Sequence, residues 1–151
     1  MRSPLNLRKD NNQLLPACRQ AGLLATLNYM YELMIESQFA AAHQLRGYKG
    51  KCERLHGHNW RVQVVVAAEK PDEIGLVIDF HELKKITNEI LSTLDHSVLN
   101  EIFPFTEINP SSENIAKWFY DTIKKKINYY NVDISSVTVW ESETTSATYY
   151  E

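Results

Sequence analysis

Between residues 31 and 43 the chain alternates. In "YELMIESQFAAAH", Tyr31, Leu33, Ile35, Ser37 and Phe39 fall on one parity and Glu32, Met34, Glu36 and Gln38 on the other. A period of two predicts a half-buried strand ending near His43. "LRGYKGKCER" interrupts the pattern with two glycines and several charges and reads as a loop. "LHGHNWRVQVVVAAEK" resumes it as a Val-rich second strand, "PDEIG" is a turn, and "LVIDF" is a short third strand.

The period then changes. Asp79 is placed as a helix N-cap with Glu82 three residues on, a capping-box-like pair. Phe80, Leu83, Ile86, Ile90, Leu91 and Leu94 follow as a helical stripe. "LDHSVLNEIFPFTEINP" leaves the helix and wanders to Pro110. Ser111 or Ser112 caps a second helix to about Asn128, with Ile115, Trp118, Phe119, Ile123 and Ile127 as its stripe. "VDISSVTVWES" is a late strand and "ATYYE" a short last one. No internal repeat or low-complexity tract is present. Strands flanking two helices, with half-polar alternation, predict an α+β arrangement: antiparallel pairing, with the helices on one face.

Composition adds bounds. The chain has 151 residues, enough for one domain with a core, and 44% apolar content, ordinary for a globular protein. A net charge of −3 points to no nucleic-acid or membrane partner, and no apolar run approaches the roughly 20 residues of a spanning helix. Two cysteines build no disulfide framework, so a reducing cytoplasm is the default expectation. Residues 1–29 differ from the rest: they hold four basic residues and one acidic, against 12 and 18 afterwards. They show no sustained period, and "GLLATL" is short for a signal-peptide core. Met30 directly before the first strand is read as the natural start, with 1–29 a disordered arm, an upstream translation or a tag, and Cys18 a bystander in it. Residues 30–151 then form the single domain.

The chemistry concentrates in "KCERLHGHNW". Side chains two apart on a strand share a face, so His56 and His58 project side by side, their Cα atoms about 6.6 Å apart. Antiparallel pairing across the loop brings His43, at the end of the first strand, beside them. Three histidines with an open fourth position are the donor set of catalytic zinc. Cys52, four residues before His56, is compatible with a fourth metal ligand, a bystander, or a thiol activated by a neighbouring cation. Asp95 and His96 are adjacent at a helix end; such a pair orients an imidazole, but only if the helix stops there. Glu141 shares the apolar parity of Val137 and Val139 at a strand end, either frayed or reading a ligand. His81, off the apolar stripe, reads as surface.

Together "FAAAH", "CERLHGHNW", "GLVIDF", "LDHSVLN", "NPSSENIAKW" and "VTVWES" resemble, in order, the motifs of the 6-pyruvoyl-tetrahydropterin synthase and 6-carboxytetrahydropterin synthase (QueD) family, over residues 31 to about 150. The resemblance implies a tunnelling (T-) fold: a four-stranded antiparallel sheet with two helices on one face. Subunits join into trimeric barrels that stack as hexamers, with active sites between subunits. It implies His43, His56 and His58 as Zn2+ ligands, Cys52 as the catalytic thiol, and Asp95 and His96 as its proton-transfer partners. Glu141 is implied as the anchor of the pterin ring, and Ser111, Ser112 and Glu113 as its frame; Ser111 beside Ser112, where threonine is common, is a small departure. The implied substrate is 7,8-dihydroneopterin triphosphate. Three residues between Cys52 and His56 resemble the QueD branch, whose product is 6-carboxy-5,6,7,8-tetrahydropterin for queuosine synthesis. Glu53 resembles the glutamate of a folate-related branch that releases 6-hydroxymethyl-7,8-dihydropterin, so dual activity is one alternative. A 6-pyruvoyl-tetrahydropterin synthase and a non-catalytic pterin-binding or structural zinc protein are the others.

Overall fold

The structure, a computed structural model, describes residues 31–151; the expectations for residues 1–29, Cys18 and Met30 lie outside the described residues. Strand β1 (Tyr31–His43) and strand β2 (His56–Ala68) form a long antiparallel pair. Its register runs without a break from Tyr31 opposite Ala68 to His43 opposite His56. Helix α1 (Phe80–Leu91), strand β3 (Ser97–Val98), helix α2 (Ser112–Ile127), strand β4 (Asp133–Trp140) and strand β5 (Ser146–Tyr149) follow. The sheet order is β3-β1-β2-β4-β5. β4 pairs antiparallel with both β2 and β5, and the two residues of β3 run parallel to β1.

Strand alternation places the core. Ile35, Phe39 and Ala41 of β1, Trp60, Val62, Val64 and Val66 of β2, and Val137 and Val139 of β4 are buried against the helices. Leu83, Ile86 and Ile90 of α1 and Ile115, Phe119 and Ile123 of α2 meet them. The Phe39 ring stacks on Trp60 at 6.0 Å and leans on Phe119 at 6.1 Å between centroids. Glu32, Met34, Glu36 and Gln38 point to the opposite, uncovered face. The sheet is therefore two-faced, with both helices on one side, as the alternation predicts.

Three expectations are corrected. The sheet has five strands instead of four, and it is mixed instead of purely antiparallel. "LVIDF" is not its third strand. Asp72 closes a turn around Gly75 (φ +87°), accepting from the N–H of Ile74 and of Leu76 through its carboxylate. The chain is already at the helix cap by Asp79, leaving no length for a ladder; Ile78 is buried there without strand pairing. The edge of β1 goes instead to Ser97–Val98, a pairing too short to carry any period. The Asp79–Glu82 box is also half-made. Asp79 caps α1 by accepting from the His81 N–H at 2.8 Å, while Glu82 accepts from the Tyr130 hydroxyl at 3.0 Å. Ser111, of the two serines, caps α2. His81 is at the surface as expected. Among the described residues no helix is long and apolar enough to cross a membrane.

Candidate metal centre and active site

The continuous β1–β2 register puts His43 directly opposite His56. His58 lies two residues along the same face, where the hydrophobic core ends and the strands open. Trp60 backs this group: its ring stands edge-on to His43 and His58, and its indole N–H donates to the Ala41 carbonyl at 3.2 Å. Glu141, one residue past the end of β4 and on the parity of Val137 and Val139, enters from the other side. The ligand atoms of His43, His56, His58 and Glu141 all lie within 4.8 Å of one another.

Hydrogen bonding behind the rings sets their tautomers. His43 Nδ1 lies 2.7 Å from the Pro110 carbonyl and His56 Nδ1 2.7 Å from the Arg54 carbonyl. A carbonyl only accepts, so each Nδ1 carries the proton and each Nε2 presents a lone pair. Those two Nε2 atoms face each other at 3.1 Å. Two lone pairs at that distance repel unless a cation lies between them. The spacing is close to the roughly 3.3 Å between neighbouring ligands of a tetrahedral ion with about 2.0–2.1 Å bonds. His58 Nε2 is buried and makes no hydrogen bond, although Glu141 Oε1 is 3.1 Å away, outside hydrogen-bond geometry. Three imidazoles backed by carbonyls or by none, with one carboxylate, fit a divalent metal ion.

Burial holds the imidazoles of His43 and His58 below their ordinary value of 6.5. The backbone bond to Pro110 (for His43) and Glu141 (for both) oppose this without cancelling it. A group whose folded value is depressed binds fewer protons than it does when unfolded. Stability is then present above about 6.5 and lost as pH falls below it. The metal-free protein is accordingly expected to melt at progressively lower temperature as pH drops from 7 toward 5. Bound metal should steepen that loss, because protons compete for the same nitrogens. Thermal melts across that range with and without zinc check both slopes; flat melts of the metal-free protein would contradict the first.

The second constellation forms because α1 ends in time. Its last residue is Leu91, and tight turns carry the chain to His96, which takes a left-handed backbone conformation (φ +54°). That turn sets the His96 ring beside its own neighbour: Nδ1 lies 2.9 Å from Asp95 Oδ2. The Ala40 N–H donates to Asp95 Oδ1 at 2.8 Å, and the His96 N–H donates to the Ala40 carbonyl. The Ala40 N–H foremost, and then the His96 ring, hold the Asp95 carboxyl below its usual range. The pair is thus pinned to β1 as a charged orienter with a solvent-open imidazole. His96 and His58 both line an open concavity of about 380 Å³, together with Ala40, Ala41, Ala42 and Gly57.

The remaining expected residues are placed as follows. Cys52 and Glu53 sit on a one-turn 3-10 helix, Lys51–Glu53, in the loop between β1 and β2. Cys52 is half-buried and is not part of the four-residue ligand group, so the closed site with a thiolate ligand does not form. Among the described residues neither the Cys52 thiol nor the Glu53 carboxylate makes a side-chain hydrogen bond. Ser112 donates to Glu141 Oε2 at 3.1 Å, joining the expected pterin frame to the expected pterin anchor. Ser111 serves as the helix cap, and Glu113 is exposed on the first turn of α2.

Sequence reading missed what holds the loop. Gln44 and Asn100 exchange two hydrogen bonds, as do the Arg46 backbone and the Asn109 amide. The Arg46 guanidinium donates to the carbonyls of Phe105 and Ile108. These bonds stitch residues 44–46 to residues 100–110 and present the Pro110 carbonyl to His43. An Asn-Pro-Ser string signals a turn and a cap, and nothing in it signals a partner more than 60 residues away.

Fold and site together define a class: a domain with a two-faced sheet and two helices, bearing a metal-competent histidine cluster and an Asp–His pair. Comparison narrows it. Residues 32–151 match the sequence profile of 6-pyruvoyl tetrahydropterin synthase. A 6-carboxy-5,6,7,8-tetrahydropterin synthase of Synechocystis is 37% identical over 127 residues, covering 80% of this chain and 94% of the relative. A dihydroneopterin monophosphate aldolase of Pyrococcus furiosus is 35% identical over 109 residues, 72% of this chain and 88% of the relative. The solved 6-pyruvoyl tetrahydropterin synthase of Caenorhabditis elegans superposes with a TM-score of 0.69 at 28% identity, over 82% of this chain and 98% of that one. The chain belongs to the 6-pyruvoyl tetrahydropterin synthase family, has its T-fold, and is an enzyme of the lyase class.

Proposed function

We propose that the chain converts 7,8-dihydroneopterin triphosphate to 6-carboxy-5,6,7,8-tetrahydropterin, releasing triphosphate and acetaldehyde, in queuosine (7-deazaguanine) synthesis in the cytoplasm. The observation that carries the reading is the convergence of the His43 and His56 Nε2 lone pairs at 3.1 Å, together with the Asp95–His96 pair and the concavity that His96 shares with His58. Relatives named for that product, at 37% and 31% identity, support it.

His43, His56 and His58 would hold Zn2+, which nitrogen-rich borderline donor sets favour. When bound, the metal supplies Lewis acidity toward the hydroxyls of the substrate side chain. The residues of the chain do the rest. Cys52, as thiolate, accepts a proton from a side-chain carbon. His96, held in one tautomer by Asp95, donates and accepts at Nε2, the nitrogen left free. Glu141 accepts hydrogen bonds from the ring N3–H and 2-amino group, while Ser112 holds its second oxygen and Ser111 and Glu113 frame the ring. Lys49, Lys51 and Arg54 are exposed on the loop that carries Cys52 and Glu53 and are left unassigned as triphosphate contacts.

The assembly belongs to the same proposal. Among the described residues the outer edge of β1 from Tyr31 to Phe39 pairs with no strand, and β5 closes the other side of the sheet. Exposed edges invite pairing between chains. A homotrimeric barrel, stacked as a hexamer, joins such edges and covers the solvent-open His96 with a neighbouring subunit.

A second reading is favoured by two observations: the aldolase relative from Pyrococcus furiosus, and Glu53 sharing one helical turn with Cys52. In it Glu53 cuts the side chain to leave 6-hydroxymethyl-7,8-dihydropterin. Mass spectrometry of products from 7,8-dihydroneopterin triphosphate decides. The wild type is expected to yield the 6-carboxy product with equimolar acetaldehyde, and Glu53→Ala to lose only a hydroxymethyl product. A hydroxymethyl product as the main species, abolished by Glu53→Ala, would replace the first reading with the second.

A further inference from the structure

The Pro110 carbonyl fixes the ring proton of His43, yet Pro110 lies in a stretch, residues 103–110, that belongs to no helix or strand. The far end of that stretch is held at the start of α2, where the Ser111 side chain accepts from the Asn114 N–H and the Asn114 amide donates to the Asn109 carbonyl. The near end is held by Arg46. One guanidinium nitrogen, Nη2, donates to the Phe105 carbonyl at 2.8 Å and to the Ile108 carbonyl at 2.6 Å. Neither carbonyl accepts from a backbone N–H among the described residues. The Arg46 backbone and the Asn109 amide then exchange two more bonds, at 2.8 and 3.0 Å. Arg46 stands just past His43 in sequence, so the chain that carries the ring also clamps the ring's carbonyl partner.

What the clamp decides is a tautomer. If Pro110 withdraws, the His43 Nδ1 proton loses its acceptor in a buried site. The other nitrogen offers an alternative, because His56 Nε2 presents a lone pair 3.1 Å away. A proton on His43 Nε2 would satisfy that lone pair and block both nitrogens at once, since a protonated imidazole nitrogen ligates no metal. We propose that Arg46, with Asn109, is a positioning residue of the metal centre: its hold on residues 105–109 keeps Pro110 on His43 Nδ1 and leaves Nε2 free to ligate. This rests on the reading of His43, His56 and His58 as metal ligands, and on no choice of substrate.

The test joins two measurements on Arg46→Ala. Long-range proton–nitrogen spectra of the metal-free protein at about pH 8, where the imidazoles are neutral, read the tautomer of each ring. In the wild type His43 and His56 are both expected with the proton on Nδ1. In Arg46→Ala the His43 proton is expected to move to Nε2, while His56, whose partner is the Arg54 carbonyl, keeps its tautomer. Chelator competition is expected to show zinc bound about tenfold more weakly, the low end of what groups behind a metal ligand contribute. The direction is informative, because deleting a positive side chain close to a ligand would by charge alone strengthen binding of a cation. Asn109→Ala is expected to move both readouts the same way, and it provides the test should circular dichroism show Arg46→Ala unfolded. Zinc affinity equal to or above that of the wild type, an unmoved His43 tautomer, or a His56 ring that changes along with it overturns the proposal while leaving the ligand reading intact. A wild type that binds no zinc overturns the ligand reading, and the proposal with it.

Discussion

Cys52→Ala is expected to bind zinc as the wild type does and to turn over substrate about 10²–10⁴-fold more slowly, the usual worth of a positioned acid–base group. The first half follows from placement and the second from the role proposed for the thiol. The thiol stands outside the cluster in which His43, His56, His58 and Glu141 bring their ligand atoms within 4.8 Å, so its loss removes no ligand. Its helical turn is anchored independently of the side chain, by the Leu45 N–H donating to the Cys52 carbonyl at 2.9 Å, so alanine keeps the loop in place. What disappears is the base of the proposed mechanism. Zinc content by chelator competition and steady-state kinetics on one preparation measure the two halves. Loss of zinc together with turnover would make the thiol a ligand; unchanged turnover would make it a bystander.

His56→Ala has the opposite signature. Zinc affinity is expected to fall by more than about 100-fold, since even groups behind a metal ligand are worth roughly 10–100-fold. Turnover should vanish with the metal. The fold should survive, because His56 is half-exposed at the open end of the β1–β2 pair and the core begins beyond it at Trp60. The Arg54 carbonyl that His56 engages lies at the surface, where water replaces the lost partner. Metal content with a thermal melt of the metal-free form reads both. Wild-type zinc affinity would remove His56 from the ligand set.

Comparing the two variants separates roles that residues 52–58 present as one knot. Spacing alone left Cys52 open as ligand, bystander or base. Tertiary placement removes the first of these, because the fourth group beside the histidines is a carboxylate from 83 residues beyond His58. The same placement complicates Glu141: its shared parity with Val137 and Val139 was legible, but that this parity ends among three histidines was not.

What the sequence determined is whatever repeats or pairs locally. Alternation in 31–43 and 56–68 defines both long strands and their buried faces, because side-chain direction in a strand follows parity. The same rule puts His56 and His58 on one side. Serine or aspartate caps locate the starts of α1 and α2, because caps act over three or four residues, and the stripe locates the end of α2; α1 stops at Leu91, three residues short of the Leu94 its stripe included. What only the tertiary structure decided acts over longer range. "LVIDF" has strand composition, but the Asp72 turn and the Asp79 cap leave it too short to pair. Ser97–Val98 has no period and pairs because the loop after α1 delivers it to the free edge of β1. The Asp95–His96 pair needs the left-handed turn at His96, and the tautomer of His43 needs the Pro110 carbonyl brought in by Arg46 and Asn109. Each of these depends on where distant backbone donors and acceptors end, which local pattern does not encode and the packed chain does.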